Sequence, residues 1–68
     1  MYLNIRGLKS KFESFVEKIM EVNPTVFCVT ETHLMELEKI DMESEGYAVY
    51  RNDRNNSGGG ILIGVRLN

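Results

Sequence analysis

Apolar and polar positions follow three different rhythms along this chain, and each rhythm predicts a different element. Residues 1–4 run apolar and turn polar at Asn4, with Gly7 close behind. That is a very short strand, ended where glycine frees the backbone. Between Ser10 and Val22 the apolar residues Phe12, Phe15, Val16, Ile19 and Met20 recur at helical spacing. They form one stripe of an amphipathic helix. Ser10 followed by Glu13 predicts a capping box at its start. Asn23-Pro24 predicts its end, because a residue before proline disfavours helical geometry. Thr25–Thr30 is apolar or β-branched without strict alternation, the pattern of a strand covered on both faces.

Beyond the second strand the rhythm weakens. Leu34, Leu37, Ile40 and Met42 are scattered among charges and predict an irregular, partly helical connection over Thr32–Glu45. Gly46–Arg51 returns to strand, with Tyr47, Val49 and Arg51 on one face and Ala48 and Tyr50 on the other. Both tyrosines are expected to pack into the core. Asn52–Gly60 is rich in turn formers, and Ile61–Val65 is a last strand interrupted by Gly64. The final pair therefore reads as a β-hairpin with a long polar tip.

Strand, helix and strand in succession make a βαβ unit with parallel strands and a right-handed crossover. Parallel strands end on the same edge of a sheet, and α/β sheets collect their sites at that edge. Asn4 and Glu31 both stand at such ends.

Composition narrows this picture. With 68 residues the chain holds at most one small domain, residues 1–68, and a marginal core. Its single cysteine, Cys28, excludes an internal disulfide. Among apolar neighbours it reads as a small buried hydrophobe of a reduced, intracellular protein, nuclear or cytoplasmic. No apolar run reaches the ~20 residues of a membrane helix, so no membrane is expected as a partner. Residues 25–45 carry six acids against one base, which is no general nucleic-acid-binding surface but suits a cation near Glu31.

Several residues invite a chemical reading. Gly58-Gly59-Gly60 precedes a strand and lacks a following Gly-Lys-Ser/Thr, so it is a turn and not a phosphate loop. Glu13, Glu17 and Glu21 form the wet face of the helix. His33 stands two residues after Glu31 and could pair with it as acid and base. The better reading from sequence alone is a surface histidine opening a loop. Cys28 has no cation or helix start beside it to activate a thiolate. Glu31 is the costly residue. A carboxylate closing a strand as apolar as VFCVT needs a metal, a cation, several donors or an exit to water.

Asn4-Ile5-Arg6-Gly7-Leu8, Val29-Thr30-Glu31-Thr32-His33-Leu34, Gly46-Tyr47-Ala48-Val49-Tyr50-Arg51 and Gly58-Gly59-Gly60-Ile61-Leu62-Ile63 together resemble the endonuclease/exonuclease/phosphatase superfamily. The chain looks most like the apurinic-type endonuclease domain of non-LTR (LINE-type) retrotransposons. The resemblance implies an α/β fold, the N-terminal part of an αββα sandwich made of the strand-helix-strand unit and the hairpin.

It also implies an endonuclease that nicks DNA using Mg²⁺, or Mn²⁺ in its place. Glu31 would be the metal ligand and a catalytic residue, and Asn4 the catalytic asparagine that hydrogen-bonds within the centre. One or two carboxylates suffice for Mg²⁺. The family's Asp–Asn pair, tyrosine and late Asp–His pair have no counterpart within residues 1–68, and His33 does not match the family histidine. The chain alone is therefore expected to be inactive, and DNA to be its substrate only when the remaining part completes it. A phosphatase of the same superfamily, or a catalytically dead retroelement-derived module that only binds, are the alternatives. An uncovered sheet face and edge would favour self-association.

Overall fold

The computed structural model of the chain describes residues 1–54 and 58–68. The predicted hairpin tip includes Asn55, Asn56 and Ser57, which lie outside the described residues. Four strands, β1 (Tyr2–Asn4), β2 (Val26–Thr30), β3 (Tyr47–Asn52) and β4 (Ile61–Arg66), form one sheet in the order β1-β2-β4-β3. β1 and β2 are parallel, with Asn4 opposite Thr30. β4 runs antiparallel to both β2 and β3.

The helix, α1, spans Phe12–Val22 and follows a 3-10 turn at Lys9–Lys11. Here the expected capping box does not form. Ser10 lies inside the 3-10 turn, and the position before α1 is Lys11, which makes no side-chain cap. Lys11 instead sends its ammonium to Ile5 O at 2.8 Å, so the helix start is tied to the segment leaving β1. The helix ends as predicted. Asn23 adopts φ +54, and its amide donates to Ile19 O, a left-handed stop that asparagine tolerates well.

Phe15 and Ile19 of α1 pack on Phe27 and Val29 of β2, joined by Leu8, Leu34, Met42, Tyr47 and Leu62. Phe27 is the hub. Its ring meets Phe15 edge-on at 5.6 Å and Tyr47 edge-on at 5.1 Å, the geometry that aromatic quadrupoles favour. The Tyr47 hydroxyl donates to Pro24 O, so its polar end is satisfied while its ring is buried.

The prediction that β2 is covered on both faces is corrected. Only Phe27 and Val29 are buried. Val26 keeps 47% of its surface exposed, and Cys28 and Thr30 are half-buried. α1 lies on one face alone, so the strand's uniform apolarity conceals an open side. Tyr50 faces that side at 64% exposure, which overturns its expected place in the core, and Cys28 is not the fully buried hydrophobe expected. Residues 32–45 are irregular as predicted, with a single 3-10 turn at Glu43–Glu45.

Candidate active site at the strand ends

Parallel pairing of β1 and β2 brings Asn4 and Glu31 to one edge of the sheet. There the Asn4 amide Nδ2 donates to Glu31 Oε2 at 2.9 Å. The two site residues predicted from sequence are thus in direct contact. The other carboxylate oxygen, Oε1, lies 3.9 Å from His33 Nε2, and both side chains remain over 40% exposed. At that distance the pair is an electrostatic neighbour and not a hydrogen bond.

The backbone beneath the carboxylate is held on both sides. The amides of Ile5, Gly7 and Leu8 donate to the carbonyls of Thr30, Glu31 and Thr32 at 3.1, 2.9 and 2.9 Å. From the opposite direction, the amides of Glu31 and His33 donate to Gly60 O and Gly59 O at 2.9 and 2.8 Å. Residues 31–33 are therefore laced between the end of β1 and the approach to β4.

That lacing sustains unusual dihedrals. Glu31, His33 and Arg6 adopt φ +55, +56 and +50, each costing about 1–2 kcal/mol for a side chain other than glycine. Three such residues at one sheet edge mean that the surrounding hydrogen bonds, not local preference, aim the Glu31 carboxylate. Thr32, between two of them, is 1% exposed, and its hydroxyl has no hydrogen-bond partner among the described residues.

Sequence reasoning missed the part played by Gly59 and Gly60. The run reads from sequence only as a turn; Gly58 is a bend, and the carbonyls of Gly60 and Gly59 receive the Glu31 and His33 amides. A signal was available in the run's place just before a strand. What was not available was the pairing of that strand with β2. Arg51 was also read only as a strand residue. Its guanidinium grips the Asp53 carboxylate at 2.7–3.2 Å, donates to Met35 O at 2.8 Å and also reaches Glu38 O. It thereby fixes the turn that follows the site segment.

A carboxylate with one oxygen tied by a neutral amide, on a side chain still 43% exposed, suits a hard divalent cation, which takes one or two carboxylates and otherwise oxygen ligands. No group of three His, Cys, Asp or Glu is gathered among the described residues, so a zinc-type cage does not fit. A hollow along β3, lined by Ile40, Met42, Tyr47 and Val49 among others, includes neither Asn4 nor Glu31. Among the described residues no helix is long and apolar enough to cross a membrane.

No protein-family model and no curated protein sequence matches the chain. Solved structures do. The chain superposes on an AP endonuclease from Archaeoglobus fulgidus with a TM-score of 0.84 and 20% identity, over 94% of this chain and 25% of that protein. It superposes on a 3′ phosphatase from Neisseria bound to a product DNA hairpin with a TM-score of 0.85 and 13% identity, over 96% of this chain and 26% of that one. The fold is therefore the mixed α/β fold of an endonuclease and a phosphatase, and the chain spans about a quarter of the length of each.

Proposed function

We propose that the chain is the N-terminal part of a Mg²⁺-dependent, phosphodiester-cleaving endonuclease that nicks DNA, as retroelement integration requires. The observation that carries this reading is the contact of Asn4 Nδ2 with Glu31 Oε2 across two parallel strand ends. Glu31 would hold the cation through the oxygen that Asn4 leaves free. A divalent ion bound there supplies charge neutralisation at the phosphate and at the leaving oxygen. Asn4 orients the carboxylate and, being neutral, does so without cancelling the charge that attracts the ion. The clamp on residues 31–33 keeps that oxygen in place before any ligand arrives, which is what preorganisation demands.

The test uses a protein in which this segment begins a full-length domain. It is expected to nick supercoiled plasmid in Mg²⁺, and Glu31→Gln is expected to remove the activity. Nicking that survives Glu31→Gln ends the assignment of Glu31.

A second reading, phosphate removal from a 3′ end, is favoured by the likeness to a 3′ phosphatase. A nicked duplex carrying a 3′ phosphate separates the two: phosphate release without plasmid nicking selects the phosphatase. A protein that neither nicks, releases phosphate nor binds Mg²⁺ is a binding module.

A further inference from the structure

We propose, resting on the reading of Glu31 as a metal ligand, that His33 is a second protein ligand at the same site through its Nε2. The oxygen–nitrogen pair so formed makes the site prefer a first-row transition ion to Mg²⁺.

Glu31 and His33 both adopt left-handed backbone, at φ +55 and +56, with the buried Thr32 between them. Their side chains meet on one side of the segment, where His33 Nε2 lies 3.9 Å from Glu31 Oε1. That is too long for a hydrogen bond, so the two atoms do not satisfy one another. It falls within the span of two atoms that share one ion. Ligands roughly 2.1 Å from an octahedral ion stand about 3.0 Å apart when adjacent and about 4.2 Å apart when opposite. Both side chains keep over 40% of their surface exposed, which gives an ion access and the pair freedom to close on it.

The imidazole is also held in place. The His33 amide donates to Gly59 O at 2.8 Å. A Cβ at Gly7 would lie 3.9 Å from Nδ1, and one at Gly58 would lie 3.5 Å from Nε2. The ring is therefore seated between the segment leaving β1 and the segment entering β4, against backbone that carries no side chain. A ligand atom positioned before the ion arrives lowers the ordering cost of binding.

Ligand chemistry sets the preference. Mg²⁺ is a hard ion that takes oxygen and gives up water reluctantly, so it is held through Glu31 alone. Transition ions accept imidazole nitrogen and are held through both residues. Among the described residues no third His, Cys, Asp or Glu is gathered with the pair. Water and phosphate oxygens complete the shell, as they do for ions bound by one or two protein groups. Of the transition ions, Mn²⁺ keeps the octahedral, oxygen-rich shell of Mg²⁺ and is the probe of choice.

The test uses a protein in which this segment begins a full-length domain. Mn²⁺ and Mg²⁺ are each titrated by calorimetry into wild type and His33→Asn. Asparagine tolerates left-handed backbone, but its side chain ends short of the position of Nε2. The variant is expected to bind Mn²⁺ at least about tenfold more weakly and to bind Mg²⁺ unchanged. Equal loss of both ions overturns the proposal, because it would mean that His33 only shapes the segment.

Pulsed electron paramagnetic resonance of the bound Mn²⁺ reads the ligand directly. The nitrogen modulation of a coordinated imidazole is expected in wild type and is expected to vanish in His33→Asn. Mn²⁺ that shows no such nitrogen, yet is lost in Glu31→Gln, strikes out His33 and leaves the nuclease reading standing. Mn²⁺ held equally well by Glu31→Gln ends the assignment of Glu31, and this proposal with it.

Discussion

Gly64 of β4 lies against the ring of Phe27. A Cβ at residue 64 would stand 2.1 Å from Phe27 Cζ, so the hub of the core is seated in a space that only glycine leaves open. Gly64→Ala forces that ring away from Phe15 and Tyr47. Overpacking of this kind costs typically 1–3 kcal/mol, and chemical denaturation is expected to show a loss at the upper end of that range. A change under about 0.5 kcal/mol would mean that the ring is seated elsewhere.

Gly60 and Gly46 separate backbone strain from crowding. Both have φ near +90 (+96 and +89), but a Cβ at Gly60 would lie 2.6 Å from Thr32 Oγ1, while one at Gly46 meets nothing within 4 Å. Alanine at either position is strained by its dihedral. Gly60→Ala is expected to be more damaging by about 1 kcal/mol or more, and to shift the Glu31 and His33 amide resonances, whose acceptors lie at Gly60 and Gly59. Equal losses for the two variants would remove the steric argument.

Arg51 serves two carbonyls and a carboxylate at once, which an ammonium on a flexible stem cannot match. Arg51→Lys is expected to destabilise the chain by about 1–3 kcal/mol. The loss should appear first as faster amide hydrogen exchange at Glu38, whose amide closes the turn on Met35 O. Unchanged exchange at Glu38 would show that the guanidinium does not hold the turn.

The same turn carries a pH signature. The Lys9 ammonium, 2.9 Å from the Glu38 carboxylate, is the main cause holding that carboxyl below its ordinary value, with the Met35 amide second. Lys9 is raised in return, chiefly by its hydrogen bond to Glu38. A lowered carboxyl contributes stability above its unfolded value and loses it as pH falls through the folded one. A raised ammonium contributes below its unfolded value and loses it as pH rises through the folded one. The pair therefore supports the turn between those limits. Titration followed by carbon NMR should place Glu38 below the usual carboxylate range, and Lys9→Ala should move it up.

Asn4→Leu keeps the size of the side chain and removes the donor to Glu31. Calorimetric titration with Mg²⁺ is expected to show several-fold weaker binding than wild type, consistent with a lost orienting hydrogen bond. Glu31→Gln should remove binding altogether. Equal affinity for wild type and Asn4→Leu would make the 2.9 Å contact irrelevant to the ion.

The helix, the strands and the convergence of Asn4 with Glu31 were legible because periodicity and parallel topology are local or nearly local properties. The open face of β2 was not. Val26 and Cys28 look as apolar as Phe27 and Val29, and which pair is covered depends on where α1 lies. The Ser10–Glu13 capping box had the right residues at the right spacing, but the chain enters α1 through a 3-10 turn and Lys11 reaches back to β1. The left-handed geometry of Glu31 and His33 was illegible for a stronger reason. Neither residue prefers it, and the groups that enforce it come from Gly59 and Gly60, almost thirty positions away.

The strand order has a consequence for how this molecule comes to exist. β4 is the last of the four strands in the chain and sits between β2 and β3, so the sheet is completed from within and not by adding an edge. During synthesis β2 and β3 wait unjoined until residues 61–66 emerge. The carbonyls that bend Glu31 into place arrive with them. The carboxylate therefore acquires this orientation only once β4 has joined the sheet. A block to β4 insertion would leave a chain with its helix formed and its acidic corner unaimed.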